Sequence, residues 1–238
     1  MIEASLERLR ELDRYLTPAE RLEIERLLDA SSVLWSPQPG PQTMASESEA
    51  DIIGFGGAAG GGKTDCAVGM ALTQHRKSAI FRREATQLTG IIDRITDVLG
   101  TRDGYSSKDK IWRVTPAIAP VHRPLQIEFG SAPNLGDEKR YQGRPKDLLV
   151  LDEATEFAES RVRFLRGWTI PVVEGQRTRA LLTFNPPTTS EGRWVLQFFG
   201  PWLDPNYPVP AGPGEIRWFV MLGGKETEWP DGEPFEWR

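Results

Sequence analysis

The chain reads as an α/β fold, a mostly parallel sheet covered by helices on both faces. Three observations predict it. Short apolar runs alternate with stretches of helical periodicity between residues 52 and 184, the pattern of strands joined by crossover helices. One run, Leu148–Leu151, is apolar at every position, as a strand buried on both faces must be. Between the first apolar run and the first helical stretch lies the glycine-dense segment Gly56-Gly57-Ala58-Ala59-Gly60-Gly61-Gly62, which places a tight backbone turn where a strand meets a helix N-terminus.

Composition bounds the rest. The 238 residues, 39% hydrophobic and 26% charged, suffice for one large domain with a true core and a small appendage. No run approaches the roughly 18 apolar residues of a membrane span. Met1–Ser5 carries an acid by its third residue and no basic stretch, which argues against a signal peptide. A single cysteine, Cys66, excludes an internal disulfide, and two distant histidines, His75 and His122, do not make a zinc cage. The chain is therefore expected to be soluble and cytosolic. Its net charge of −5 speaks against a free-standing DNA-coating protein. Residues 76–147 nevertheless hold 14 Lys/Arg against 9 Asp/Glu, a basic stretch that could meet phosphates or simply face solvent.

In chain order, Leu6, Leu9, Leu12 and Leu16 recur at helical spacing, and Thr17-Pro18-Ala19-Glu20 starts a second helix with a capping box. These two short helices, over 5–29, form an appendage. Residues 36–50, rich in Pro, Ser and Gln, read as a connector. Strands are predicted at Ile52–Phe55, Ser78–Phe81, Ile111–Val114, Leu125–Phe129, Leu148–Leu151 and Ala180–Phe184, with helices at Thr64–His75 and Thr86–Leu99. Beyond residue 200 Pro and Gly become dense, and Ile216–Leu222, Gly223-Gly224 and a strand toward Trp229 read as a hairpin. The division is thus a helical appendage (1–32), a core (33–200) and a C-terminal segment with a hairpin (201–238).

Three motifs carry chemistry. Gly57-Ala58-Ala59-Gly60-Gly61-Gly62-Lys63-Thr64 satisfies G-x-x-x-x-G-K-[ST] between a strand and a helix, the context of a P-loop. Its backbone N–H groups and the helix N-terminus cradle phosphates, Lys63 reaches the β/γ-phosphates, and Thr64 offers a hydroxyl to Mg²⁺. Asp147–Glu153 places Asp152 and Glu153 at the end of an apolar strand. Set beside the P-loop strand, Asp152 would hold Mg²⁺ and Glu153 would activate the attacking water. The paired acids favour an ATP hydrolase over a nucleotide kinase, and no Asn-Lys-x-Asp motif points to guanine. Leu181–Pro186 ends a third strand on Asn185, either a γ-phosphate contact or a simple turn.

Together these residues resemble the large subunit of tailed-bacteriophage terminases, the ATPase that packages viral DNA. The resemblance covers about residues 33–229: Trp35–Gln42 ahead of the P-loop, the phrase Gly56–Thr64, Phe81-Arg82-Arg83-Glu84, Tyr141-Gln142-Gly143, the Asp-Glu-Ala at 152–154, and Thr183–Pro186. It implies a P-loop NTPase with a RecA-like sheet of the additional-strand, catalytic-glutamate type. It also implies that Gln42, with Gln38 as competitor, reads adenine and that Asn185 senses the γ-phosphate. An arginine finger is implied too, with Arg82, Arg83, Arg140 and Arg144 as candidates and Arg140 weighted slightly.

ATP and Mg²⁺ are the implied cofactors. The implied partners are double-stranded DNA, a portal protein, a small terminase subunit and further copies in a ring, with no membrane. The implied setting is the host cytoplasm, with transient docking on the procapsid. Family members normally continue into a nuclease domain, and no strand-borne acidic cluster follows residue 200; nuclease activity is expected to be absent from this chain. Two other functions share the motifs: another nucleic-acid motor such as a helicase, and a nucleotide-dependent assembly module with little turnover.

Overall fold

The computed structural model describes residues 33–121, 123–223 and 225–229, together with Thr17. Apart from Thr17, the helices expected over 5–29 lie outside the described residues. Among the described residues seven strands form one sheet: β1 (Ile52–Gly56), β2 (Lys77–Arg82), β3 (Tyr105–Ser106), β4 (Ile111–Val114), β5 (Leu125–Ser131), β6 (Leu148–Leu151) and β7 (Arg179–Phe184). Their spatial order is β1-β7-β6-β2-β5-β4-β3. The five strands from β1 to β5 along that order run parallel, and β4 and β3 extend the far edge antiparallel. The sheet is mostly parallel, as expected.

Helices cover both faces because alternate residues of the inner strands are apolar on both sides. On one face, α2 (Lys63–Thr73) and α3 (Thr89–Leu99) bury Cys66, Met70, Ile91 and Ile95 against Ile53, Ile80, Ile127, Val150 and Leu181. On the other, α4 (Glu159–Arg166) and α5 (Trp194–Phe198) bury Val162, Leu165, Trp194 and Val195 against Phe81, Leu149, Leu151 and Leu182. β2 divides its residues between them, Ile80 to the first core and Ala79 and Phe81 to the second. That two-sided burial is why these strands read as unbroken apolar runs.

Several local features differ from expectation. The connector holds a helix, α1 (Pro41–Glu47), entered through Gly40 at φ 101° with Pro41 in the first turn. It shows no apolar stripe in sequence because what it buries is Gln42, Ala45 and Ser46. The helix expected from residue 86 begins as a 3-10 turn over Ala85–Leu88, closed by a capping box between Glu84 and Gln87, and becomes α3 only at Thr89. α4 was not anticipated; half of its eight residues are charged, and it buries Arg161, Val162 and Leu165.

The strand carrying the two acids was expected beside the P-loop strand, and it lies next but one, with β7 between them. β7 is buried at all six residues and needs a neighbour on each side. β1, with exposed Gly54 and Gly56, takes the edge.

The N-terminal ends of the inner strands are pinned by buried polar groups. His75 Nδ1 lies 3.2 Å from Asp147 Oδ1, and its Nε2 lies 3.2 Å from Arg179 Nε. Arg179 also donates to the Ser46 carbonyl at 2.9 Å, tying α1 to β7.

After α6 (Gly200–Leu203), Trp202 packs on the second core and donates its indole N–H to the Glu215 carbonyl at 3.0 Å. The hairpin is β8 (Phe219–Leu222) with β9 (Lys225–Glu228), and Leu222 pairs with Lys225, so two residues connect the strands. Its first strand starts three residues later than expected. Among the described residues no helix is long and apolar enough to cross a membrane.

Candidate active site

The C-terminal ends of β1, β6 and β7, neighbours in a parallel sheet, bring the three motifs together, at the edge where open α/β sheets place their ligands. From β1 the chain enters the loop 57–62, exposed from Gly57 to Gly61. Gly60 and Gly62 stand at φ 81° and 71°, a left-handed backbone that glycine adopts without steric cost. Gly62 is constrained twice, since a Cβ there would collide with the Gln42 side chain.

Gln42 itself is buried, 2% exposed. Its Nε2 donates to the Gly62 carbonyl at 2.9 Å and to Asp65 Oδ2 at 3.3 Å, while its Oε1 accepts from the Gln38 N–H at 2.8 Å. The amide nitrogen thus clamps the loop to α1 and the amide oxygen holds the backbone at residue 38, whereas Gln38 itself is exposed. Asp65 also accepts from Trp35 Nε1 at 3.1 Å and Arg94 Nε at 2.7 Å, so α1, α2 and α3 are tied together beneath the loop.

Lys63 folds over the loop and donates to the carbonyls of Gly57 (2.9 Å) and Ala58 (2.7 Å) and to Asn185 Oδ1 (3.0 Å). Thr64 Oγ1 lies 3.2 and 3.3 Å from the two oxygens of Asp152. Asp152, 1% exposed, also accepts from Thr183 Oγ1 and from Arg82, whose Nε and Nη2 lie 2.7 and 2.6 Å from Oδ2. A buried carboxylate needs such partners to remain charged.

Glu153 follows at φ 59°, ψ 56°, a left-handed conformation that costs a non-glycine residue about 1–3 kcal/mol. Asn185 Nδ2 stands 3.1 Å from each of its carboxylate oxygens. The Glu153 N–H donates to Thr183 Oγ1 at 3.2 Å. The strained turn and these three hydrogen bonds hold the carboxylate against the end of β7, on the P-loop side of the sheet.

The residues therefore form one chain of contacts, Lys63–Asn185–Glu153, with the Thr64–Asp152 pair beside it. Loop N–H groups, one ammonium and two oxygen ligands suit a triphosphate with a hard divalent cation. The four arginines differ. Arg82 is engaged by Asp152. Arg83 pairs with Glu191 at 3.0 Å, and Arg144 pairs with Glu128 and lies over the Tyr141 ring. Arg140 sits in the 3-10 turn Asp137–Tyr141, its side chain 61% exposed and paired with Asp137 at 3.1 Å. The roles of Thr183, Arg82 and the Gln42 clamp were not anticipated. One sequence signal was available, a lone threonine in the otherwise apolar run Ala180–Phe184.

No family model matches the chain, and no curated protein matches it. In fold it is similar to solved large terminases. The large terminase of a thermophilic bacteriophage is 16% identical over 66% of this chain and 38% of its own length, with a TM-score of 0.45. The large terminase ATPase domain of Thermus phage P74-26 is 15% identical over 77% of this chain and 80% of its own, with a TM-score of 0.49. The large terminase of bacteriophage HK97 is 10% identical over 70% and 36%, also at 0.49. The first of these proteins is also solved with ADP and with ATP-gamma-S. The aligned region spans well under half the length of the first and third proteins, and the likeness is one of fold.

Proposed function

We propose that the chain is an ATP hydrolase, the motor domain of a terminase large subunit that drives double-stranded viral DNA into a procapsid. The observation that carries this reading is the Lys63–Asn185–Glu153 chain of contacts, which joins the P-loop to the two acids across the ends of three strands. In this reading the loop N–H groups and Lys63 hold the β- and γ-phosphates. Thr64 and Asp152 hold the magnesium ion, which when bound neutralises phosphate charge. Glu153 orients a water for in-line attack and takes its proton. Asn185, bonded to both Lys63 and Glu153, registers whether the γ-phosphate is present and passes that state into β7.

Binding and positioning account for most of the acceleration, as phosphoryl transfer requires. Arg140, exposed on the surface, suits a finger reaching into a neighbouring copy of a ring assembled on the portal. Double-stranded DNA, the portal protein and the small terminase subunit are the proposed partners, and the host cytoplasm the proposed setting. Replacing Glu153 by alanine tests the enzymatic core. Phosphate release should fall by about 10²–10⁴ with ATP affinity retained, and turnover at the wild-type rate would remove Glu153 from the mechanism.

A further inference from the structure

We propose that residues 18–32 of this chain pack into an apolar groove at the C-terminal end of α2, with Ile24, Leu27 and Leu28 as the side chains that fill it. The inference goes beyond the nucleotide reading and does not rest on it. The groove lies where α2 ends and β5 begins, whereas the loop 57–62 stands at the opposite end of α2.

The groove measures about 570 Å³. Leu72 and Thr73 of α2 form one side, Pro120 and Val121 another, and His75 and Leu125 complete it. Leu72, Val121 and Leu125 belong to the first hydrophobic core, so the groove opens directly onto that core. Val33 and Leu34 line it too, and Val33 is 55% exposed. An apolar cleft with an exposed valine beside it calls for a cover.

The path of the chain brings one segment there. Trp35 donates its indole N–H to Asp65 at 3.1 Å, and its ring lies so close to α2 that a Cβ on Gly69 would collide with it. Trp35 therefore fixes the backbone against α2 and holds residues 33 and 34 in the groove. From Val33 back to Asp29 the backbone spans at most about 14 Å. The stretch 17–29, predicted as a helix from its capping box, must therefore end near the groove. Its Ile24, Leu27 and Leu28 stand at i, i+3 and i+4 on one face. A helix this short is marginal in water by itself and gains its stability from packing that face.

Charge points the same way. Residues 1–32 carry eight acids against five bases, and Glu25 and Asp29 lie four residues apart beside the apolar stripe. Arg123 lines the groove. Arg76, whose carbonyl accepts from the Gln126 N–H at 2.8 Å, stands beside the start of β5. Neither guanidinium is in an ion pair among the described residues. An acidic segment with an apolar stripe thus matches an apolar groove with basic neighbours, which favours this segment over an apolar partner of no particular charge.

Hydrogen exchange of the full chain, read by mass spectrometry, tests the packing from both sides. The amides of residues 20–30 should be protected in the wild type. The double variant Pro120→Asp, Arg123→Glu should speed their exchange by at least about tenfold and leave the amides of β6 unchanged. Leu27→Asp combined with Leu28→Asp should speed exchange at residues 72–75 and 121–126 by a similar factor. If the groove variant does not fold, as judged by thermal melting, the Leu27, Leu28 variant decides alone. Exchange at wild-type rates in these variants would overturn the proposal. So would a wild type whose residues 20–30 exchange without protection, the result expected if another protein fills the groove. Protection that disappears on dilution, with a dimer in gel filtration, would assign the occupant to a second copy and overturn packing within one chain. Calorimetric ATP binding, measured alongside, should be unchanged in every variant, so the nucleotide reading stands or falls separately.

Discussion

Replacing Asn185 by alanine removes three contacts in one step. Lys63 Nζ loses an acceptor at 3.0 Å, and the two oxygens of Glu153 lose the donor 3.1 Å from each. Lys63 keeps the Gly57 and Ala58 carbonyls, so the loop retains its shape and nucleotide affinity should change by no more than a few-fold. Glu153 loses the group that aims it. A hydrogen bond to a charged group is worth about 1.5–3 kcal/mol, and each 1.36 kcal/mol is tenfold in rate, so kcat should fall roughly 10- to 150-fold. A general base supplies about 10²–10⁴ in all, which sets a ceiling: the alanine variant of Asn185 cannot be slower than that of Glu153. Steady-state phosphate release, paired with calorimetric nucleotide binding, reads both quantities. Because the two residues act as one unit, the double variant should be little slower than Glu153→Ala alone. Hydrolysis within twofold of wild type, or lost affinity with turnover intact, would refute a positioning role for Asn185.

Other consequences follow from groups held under constraint. Lys63→Ala should lower nucleotide affinity at least about tenfold, and unchanged binding by calorimetry would contradict the P-loop assignment. His75 is buried, and burial holds its pKa below the usual 6.5, outweighing the raising effect of the Asp147 hydrogen bond; Arg179 adds to the lowering. Below about pH 6.5 the unfolded chain takes up a proton that the folded chain resists. Stability should therefore rise with pH through this window and fall on acidification; a denaturant midpoint in which His75→Gln shows the same pH slope as wild type would dissociate the effect from this residue. Lys146 is 1% exposed, its Nζ has no hydrogen-bond partner among the described residues, and it lies 5.7 Å from the centre of the Phe81 ring. Burial pushes its pKa down to about 8, so stability should climb as pH rises from about 8 toward the unfolded value of 10.5. Lys146→Met, which removes the buried charge and keeps the volume, should raise Tm at neutral pH by about 2–4 °C; a lower Tm would show that the ammonium stabilises the fold.

The elements of the core were legible wherever a short-range pattern determined them. Leu148–Leu151 coincides with β6 because an unbroken apolar run bounded by polar residues has one way to bury itself, and Ile111–Val114 coincides with β4 because it alternates, with Trp112 and Val114 buried and Arg113 exposed. α1 escaped notice because its buried positions are Gln, Ala and Ser, and only the packing of Gln42 against Gly62 makes them a core face. Among site residues, Lys63, Thr64, Asp152 and Glu153 stood out through the spacing of two local motifs. The link between Asn185 and Glu153 could not be seen that way, since it joins residues 32 positions apart through the ends of adjacent strands. Arg82 is a clearer case: one of four finger candidates in sequence, it becomes the partner of a buried acid 70 positions away because β2 lies beside β6.

Chain-local patterns were enough to specify the α/β class, the strand that meets a glycine loop and a helix, and the chemical identity of the groups that could grip and cleave a triphosphate. Each follows from neighbours in the chain, through hydrophobic period and the few backbone shapes a glycine-rich turn allows. That β7 separates the P-loop strand from the acids, that Gln42 clamps the loop, and that β1 is the outermost strand among the described residues emerged only with the folded chain. Those facts depend on which strand pairs with which. Strand order is settled by the burial of whole strands against one another, and no local pattern carries that information.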